Sequence, residues 1–127
     1  MNADLNPGNT LLLVEDDDNH AEIFTFHATA HEPEIRIVRM SDGGEVMQFL
    51  EANQTPNPEF PRLIVFDLNL PRFSGLEVLR AIKKHPIARR VPTVVFSSSC
   101  AAEDISEAWE NGVNSYLCKP VLTGAFK

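Results

Sequence analysis

A run of four apolar residues that ends in an aspartate constrains the fold of this chain more than any other feature. The run extends from Leu63 to Phe66, Asp67 follows it directly, and Pro61 and Pro71 stand on either side. A short apolar run bounded by turn residues is typical of a strand that is buried on both faces of a parallel sheet. Because open α/β sheets place ligands at the carboxyl ends of their strands, Asp67 is predicted to lie at a functional edge.

The rest of the chain predicts four more strands that alternate with helices. The predicted strands span residues 10–15, 34–39, 63–66, 92–96 and 115–118. Four helices are predicted. The first begins near residue 18 and the second at residue 43, and the third and fourth span residues 75–85 and 102–111. This alternation with short connections predicts an α/β fold, a doubly wound five-stranded parallel sheet with helices on both faces. The second strand alternates apolar and charged residues and is predicted to lie at an edge.

Length and composition favour one soluble domain and exclude two classes of partner. The 127 residues fit a single domain, with a flexible N-terminal lead at residues 1–9 and the folded domain at residues 10–127. A net charge of −7 argues against binding to a nucleic-acid backbone. No apolar run approaches the ~20 residues of a membrane span, and residues 1–9 have no apolar signal segment. Cys100 and Cys118 lack metal-type spacing, so we expect reduced thiols and a cytoplasmic location.

Polar side chains follow four of the five predicted strands. Glu15 and Asp16 follow the first strand, Asp67 the third, Ser97 the fourth and Lys119 the fifth. Because the carboxyl ends of parallel strands meet at one edge, these groups are predicted to share a crevice. Three close carboxylates repel one another unless a cation joins them, and all-oxygen ligands suit Mg²⁺. A carboxylate can also accept a phosphoryl group, whose charge a metal ion and a lysine would neutralise.

Each of these residues also has a plainer interpretation. Residues 15–18 could form a solvated acidic turn, Ser97 could be a strand-end cap, and Lys119 could be a surface lysine. Their combination in this order is far more specific than any one of them. With these residues the sequence resembles the receiver domain of two-component response regulators, from Thr10 to Pro120. The matching motifs are Val14-Glu15-Asp16, Phe66-Asp67-Leu68-Asn69-Leu70-Pro71, Gly75-Leu76-Glu77-Val78-Leu79, Ser97, Tyr116 and Lys119-Pro120. Asn69-Leu70-Pro71 and the proline-rich loop before the third strand resemble stand-alone receivers that partner bacteriophytochrome-type sensor kinases.

The resemblance implies a flavodoxin-like receiver fold and a metal-dependent phosphoryl transfer. Asp67 would accept the phosphoryl group from a phosphohistidine on a sensor histidine kinase or a histidine phosphotransfer protein. Asp16 and Asp67 would bind Mg²⁺, for which Mn²⁺ could substitute, together with the backbone carbonyl of Asn69, and Glu15 would reach it through water. Such a domain catalyses its own phosphorylation and dephosphorylation but is not an enzyme with a separate substrate. Its output would be binding to a downstream protein target or a further phosphorelay step.

The resemblance also implies a switch around the fourth and fifth strands. Lys119 would pair with one phosphoryl oxygen and Ser97 would hydrogen-bond another. Tyr116 would turn inward as Ser97 moves, which is the displacement of a two-state element. Asn69 and Ser99 would tune the lifetime of the phosphoryl group. The Lys119–Pro120 peptide is expected to be cis, as X-Pro bonds can be at modest cost.

Trp109 is the only tryptophan and has two interpretations. Ile105, Trp109 and Val113 fall at four-residue steps and could form a stripe beside Tyr116. The stripe either packs in the core or forms an exposed partner surface, since aromatic residues anchor interfaces.

The end of the chain departs from the receiver pattern. Receivers usually carry a fifth helix after the Lys-Pro motif, whereas only residues 121–127 remain here. The last helix is therefore expected to be short or missing, because so few residues form a marginal helix in water. One face of the sheet would then be partly bare, so we expect homodimer formation or marginal stability.

Three alternatives belong to other classes. A phosphatase of the haloacid dehalogenase type needs a second aspartate two residues after the nucleophile, where this chain has Asn69. A flavodoxin-like flavin binder needs a phosphate loop after the first strand, where this chain has acidic residues 15–18. A pseudo-receiver that serves only as a docking scaffold would not need the intact set of Asp16, Asp67, Ser97 and Lys119.

Overall fold

The computed structural model describes residues 9–119, which form one parallel sheet flanked by helices. The strands are β1 (Thr10–Val14), β2 (Arg36–Met40), β3 (Leu63–Phe66), β4 (Thr93–Ser97) and β5 (Ser115–Cys118). The helices are α1 (Asp18–His31), α2 (Gly43–Ala52), α3 (Gly75–Lys84) and α4 (Ala102–Glu110), with a short 3₁₀ helix at Ala88–Arg90. The predicted doubly wound five-stranded sheet is therefore confirmed.

The order of the strands places the end of β3 in the middle of the sheet. The order is β2-β1-β3-β4-β5, and every neighbouring pair is parallel. The alternating second strand lies at an edge, as predicted. The chain reverses its direction across the sheet between β1 and β3, and such a point opens a crevice at the carboxyl ends of the strands.

Two apolar layers cover the sheet, and the alternation of side chains along β1 shows both. Leu12 and Val14 pack into the layer that holds the buried residues of α2, α3 and α4. Leu11 and Leu13 point to the opposite layer, where they meet Ala21 of α1. Both faces of β1 are thus buried, which explains why its sequence is a continuous apolar run.

Short polar side chains cap three of the four α-helices, whereas α4 follows Ala101 and has no side-chain cap. Ser74 forms a reciprocal capping box with Glu77 at the start of α3. Asp17 caps α1 by accepting from the backbone N–H of His20, and this hydrogen bond lowers the pKa of its exposed carboxyl group. Asp42 caps α2, a role that the sequence analysis did not assign.

The helix α4 ends earlier than the predicted stripe requires. It stops at Glu110, and Gly112 follows with φ of +93°, a backbone conformation that glycine adopts without strain. The chain therefore turns before Val113, which is only 4% exposed and packs in the core. Trp109 is 51% exposed. The prediction that Val113 shares an exposed surface with Trp109 is wrong, and so is core packing for Trp109.

The two cysteines lie together, which the sequence analysis did not foresee. Their sulfur atoms are at bonding distance, and the Cα atoms of Cys100 and Cys118 are 5.8 Å apart. The expectation of two separate reduced thiols is therefore wrong for this structure. The physical reason is that the loop after β4 bends back over the end of β5, a contact that spacing along the chain does not reveal.

Three expectations fall on residues that are not described. The flexible lead lies outside the described residues except for Asn9, and so do the cis peptide at Pro120 and the short or missing last helix. Among the helices of residues 9–119, none is both long and apolar enough to cross a bilayer.

Candidate functional site

The carboxyl ends of β1, β3 and β5 bring three predicted site residues into contact. The ammonium nitrogen of Lys119 donates to Oε1 of Glu15 at 2.6 Å and to Oδ2 of Asp67 at 2.8 Å. All three side chains are buried, with exposed fractions of 5% for Lys119, 3% for Glu15 and 7% for Asp67. Lys119 is thus a buried cation that joins two buried anions.

The environment of Lys119 fixes its charge. Burial would by itself lower the pKa of the Lys119 ammonium, but the hydrogen bonds that it donates to Asp67 and Glu15, together with their negative charges, outweigh burial and raise that pKa above its usual value. Lys119 therefore stays protonated at neutral pH. His20 adds a third contact, since its Nδ1 lies 2.9 Å from the ammonium nitrogen.

The three predicted carboxylates form an acidic cluster beside this lysine. One oxygen from each of Glu15, Asp16 and Asp67 lies within 4.8 Å of the others. Glu15 and Asp67 are buried, whereas Asp16 is exposed at the mouth of the crevice. Three negative charges against the one positive charge of Lys119 leave an excess of two negative charges. This donor set of oxygens, with its excess negative charge, fits a hard divalent cation such as Mg²⁺ or Mn²⁺.

Backbone groups hold the carboxylates in place. Oδ1 of Asp67 accepts from the backbone N–H of Asn69 at 3.0 Å, which leaves Oδ2 to Lys119. Oε2 of Glu15 accepts from the backbone N–H of Asp17 at 3.2 Å. The loop after β3 and the loop after β1 thus each anchor one carboxylate group, so the two oxygens of each group have distinct partners.

The predicted switch residues form a second group next to the acidic cluster. Ser97 is fully buried at the end of β4, and its Oγ accepts from the backbone N–H of Ser99 at 3.1 Å. The hydroxyl of Tyr116 donates to the backbone carbonyl of Ser99 at 2.6 Å. Burial raises the pKa of the Tyr116 phenol, and its hydrogen bonds offset only part of that rise. Ser99 in turn donates from its hydroxyl to Asp104.

Of the predicted surface stripe, three residues reach the solvent. Trp109 is half-exposed, and Ile105 and Tyr116 are partly exposed, whereas Val113 is buried. Leu117 on β5 is a further exposed apolar side chain, at 52%. It was not singled out in the sequence.

Sequence reasoning missed two residues that organise the site. His20 contacts Lys119 from the first turn of α1, and Arg39 donates to the backbone carbonyl of Glu15 at 3.0 Å and to Asp18 at 2.8 Å. Arg39 lies in β2 near its carboxyl end, the one strand end that contributed no candidate. Its charge at that position was the available signal.

Comparisons with known proteins agree with this geometry. The family model of the response regulator receiver domain matches residues 11–126. The chain is 34% identical over 120 residues to Response regulator Rcp1 of Synechocystis sp. (strain ATCC 27184 / PCC 6803 / Kazusa), a match that covers 94% of the chain and 82% of Rcp1. It is 35% identical over 113 residues to the Probable methanogenesis regulatory protein FilR2 of Methanothrix harundinacea (strain 6Ac), covering 87% of the chain and 72% of FilR2.

Solved structures of related regulators share both the fold and a sequence identity above 30%, RcpA and Rcp1 among them. The phosphorylated cyanobacterial phytochrome response regulator RcpA superposes with a TM-score of 0.80 at 32% identity, over 91% of this chain and 83% of RcpA. The Mn²⁺-bound form of Rcp1 superposes with a TM-score of 0.78 at 33% identity, over 89% of this chain and 82% of Rcp1. The description of RcpA as a phytochrome response regulator agrees with the resemblance that the motifs suggested.

Proposed function

Because the chain belongs to the family of response regulator receiver domains, which accept phosphoryl groups in two-component signalling, we propose that Asp67 is its phosphoacceptor. The observation that carries this proposal is the contact between Asp67 and Lys119, 2.8 Å, in a buried crevice at the end of the central strand. The donor would be a phosphohistidine on a sensor histidine kinase or a histidine phosphotransfer protein. The product would be an aspartyl phosphate that alters the surface of the domain.

In this proposal the two oxygens of Asp67 have different roles. Oδ1 is tied to the backbone N–H of Asn69, which orients the carboxylate. Oδ2 lies against the Lys119 ammonium, so the new bond to phosphorus forms beside a fixed positive charge. As the phosphoryl group arrives, Lys119 exchanges its carboxylate partner for a phosphoryl oxygen and stabilises the charge that spreads over that group.

A divalent cation fits the acidic cluster, and we assign it to Mg²⁺, with Mn²⁺ as a substitute. Asp16, Asp67 and the backbone carbonyl of Asn69 would hold it, and Glu15 would act through a water molecule. When bound, the cation neutralises charge on the transferred phosphoryl group. The proposal is supported by the oxygen ligands within 4.8 Å of one another and by the Mn²⁺-bound form of the related Rcp1.

The switch would lie in the two hydroxyl groups of Ser97 and Tyr116. Ser97 accepts a hydrogen bond from Ser99, so its own hydroxyl hydrogen is available for a phosphoryl oxygen. Movement of Ser97 toward the phosphoryl group would break that bond and shift the Ser99 carbonyl to which Tyr116 donates. Tyr116 would then turn inward. Asn69 and Ser99 flank the acceptor and the hydroxyl, where they would tune the access of water and thus the phosphoryl lifetime.

The output of this switch would be a protein contact in the cytoplasm. Ile105, Trp109 and Tyr116 reach the surface on α4 and β5, next to the loop that carries Ser99. A downstream protein or a second copy of the chain would bind this surface. The excess of acidic over basic residues, 18 against 11, does not suit a nucleic-acid partner.

The decisive experiment is the intact mass after incubation with acetyl phosphate and Mg²⁺. The wild type is expected to gain one phosphoryl group when Mg²⁺ is present, and Asp67→Asn is expected to gain none. Asp18→Asn is the matched control, because it makes the same chemical change at a side chain that is 89% exposed. Equal modification of the wild type and Asp67→Asn would contradict Asp67 as the acceptor. A folded wild type that gains no phosphoryl group would contradict the proposal and favour a docking scaffold.

A further inference from the structure

Cys100 and Cys118 form a pair that the phosphoryl-transfer chemistry does not use. We propose that this pair is a redox-active site, whose disulfide holds the loop between β4 and α4, residues 98–101, against the end of β5. The site would react with small-molecule disulfides of the glutathione type. Its effect on phosphorylation rests on the proposed function, whereas its chemistry does not.

The backbone geometry allows the bond to form. The Cα atoms of the two cysteines are 5.8 Å apart, inside the range of about 4.4–6.8 Å that disulfides span. Cys118 lies beside Ser97 in the register of β4 and β5, so the loop only has to fold back three residues to bring Cys100 above it. Both cysteines are exposed, which makes the pair accessible to oxidants and reductants.

The position of the pair connects it to both parts of the switch. Cys100 follows Ser99, whose N–H donates to Ser97 Oγ at 3.1 Å and whose carbonyl accepts from Tyr116 at 2.6 Å. Cys118 precedes Lys119, whose backbone N–H donates to the carbonyl of Ser97 at 2.7 Å. A covalent bond between the two cysteines therefore holds the loop at residues 98–101, which moves in the proposed switch, against the end of β5, which Lys119 follows directly.

The redox step balances with a disulfide as the oxidant. One cysteine thiolate attacks the small-molecule disulfide, forms a mixed disulfide and releases one thiol. The second cysteine thiolate then attacks the protein sulfur of that mixed disulfide, closes the Cys100–Cys118 bond and releases the second thiol. Two protein thiols are oxidised and one small disulfide is reduced to two thiols. Disulfides that form in a reducing compartment are usually transient and either catalytic or redox-sensing.

The oxidised form is expected to accept phosphoryl groups more slowly. In the proposed switch, Ser97 moves toward the phosphoryl group and releases the Ser99 N–H, whereas the disulfide holds the loop in the conformation in which that hydrogen bond is made. The disulfide thus favours the unphosphorylated member of a two-state element. We expect the rate to fall by about fivefold or more, the low end of coupling between linked sites.

The first arm of the test concerns the disulfide alone. The wild type is treated with glutathione disulfide or with a thiol reductant, and its intact mass is measured before and after alkylation with iodoacetamide. The oxidised monomer is expected to lack both thiol hydrogens and to resist alkylation, whereas Cys100→Ser is expected to form only a mixed disulfide with glutathione. Amide hydrogen exchange at residues 98–101 is expected to be slower in the oxidised wild type than in the reduced wild type.

The second arm measures the rate of phosphorylation by acetyl phosphate with Mg²⁺ in both redox forms. A rate that falls on oxidation in the wild type but not in Cys100→Ser supports the inference. An oxidant-treated wild type that keeps both thiols, or redox forms with equal rates and equal exchange, overturns it. If the reduced wild type accepts no phosphoryl group, the proposed function fails, and the exchange of residues 98–101 still decides whether the disulfide holds the loop.

Discussion

Replacing Lys119 by methionine tests whether its buried ammonium offsets the cost in folding free energy of burying the carboxylates of Glu15 and Asp67. Methionine keeps the length and much of the apolar volume of the lysine stem but has no charge. The change leaves Glu15 and Asp67, which are 3% and 7% exposed, facing each other without a cation. Removing one partner of a buried ion pair costs about 3–5 kcal/mol, because the remaining charge is still desolvated.

Lys119 serves two carboxylates, so we expect Lys119→Met to lower the free energy of unfolding by about 4 kcal/mol in the absence of divalent cations. The midpoint of thermal unfolding would fall by about 10–20 °C for a domain of this size. The assay is urea unfolding followed by circular dichroism, with a chelator and then with added Mg²⁺. Because a cation that binds only the folded state stabilises it, part of the loss is expected to return with Mg²⁺.

The control for this variant is Lys84→Met, which makes the same change at an exposed residue of the last turn of α3. Its effect should stay within about 0.5 kcal/mol, as for most surface substitutions. A loss below about 1 kcal/mol for Lys119→Met would refute the reasoning, since that is the value of a solvent-exposed ion pair.

Three further predictions follow from single residues. The Tyr116 phenol, the only one in the chain, should ionise above the usual value of 10.0, as measured by phenolate absorbance. Its contribution to stability is then fully present below pH 10 and is lost as the pH rises through the raised value. Gly75→Ala should destabilise the fold by about 1–3 kcal/mol in urea unfolding and slow phosphorylation, because a Cβ there would lie 2.3 Å from the Cα of Leu68, next to Asp67. Acrylamide should quench the fluorescence of Trp109 strongly, since the side chain is 51% exposed.

Each of these predictions has its own control or contrary outcome. Tyr116→Phe should abolish the titration, and an ionisation at or below the usual value would contradict the role of burial. Gly44→Ala is the counterpart of the glycine variant, because its Cβ would meet only the tip of Arg72, a side chain that is 61% exposed and free to move aside. Equal losses of stability in Gly75→Ala and Gly44→Ala would contradict the inference that contact with the Leu68 backbone causes the loss. Strong protection of Trp109 in a monomer would place it in an interior.

Much of the fold could be predicted from the sequence because the features that determine it are local. A strand buried on both faces must be apolar throughout, as Leu63 to Phe66 and Leu11 to Val14 are, and a half-exposed edge strand must alternate, as β2 does. The capping box of Ser74 and Glu77 lies within three residues of sequence and needs no tertiary contact. These patterns were sufficient to predict the strand alternation and hence the parallel sheet.

The convergence of the candidate site residues could be predicted for a related reason. A parallel sheet brings the carboxyl ends of its strands to one edge, so polar residues directly after the strands were expected to meet. Glu15, Asp67 and Lys119 do meet, although 104 positions separate the first from the last. The sequence could predict that these residues converge, but not that Lys119 would lie between the two carboxylates.

Tertiary structure alone decided what depends on the course of the loops. The stripe from Trp109 to Val113 extended helical spacing past the predicted end of the helix at residue 111. In the structure α4 ends at Glu110 and the chain turns at Gly112, whose φ is positive, so Val113 lies in the core. Cys100 and Cys118 lie in separate elements, and only the bend after β4 brings them together. The patterns of apolar and polar residues therefore determined which segments are buried and which strand ends carry chemistry. The pairing of particular side chains came from loop geometry, because a loop's direction depends on contacts with residues remote in sequence.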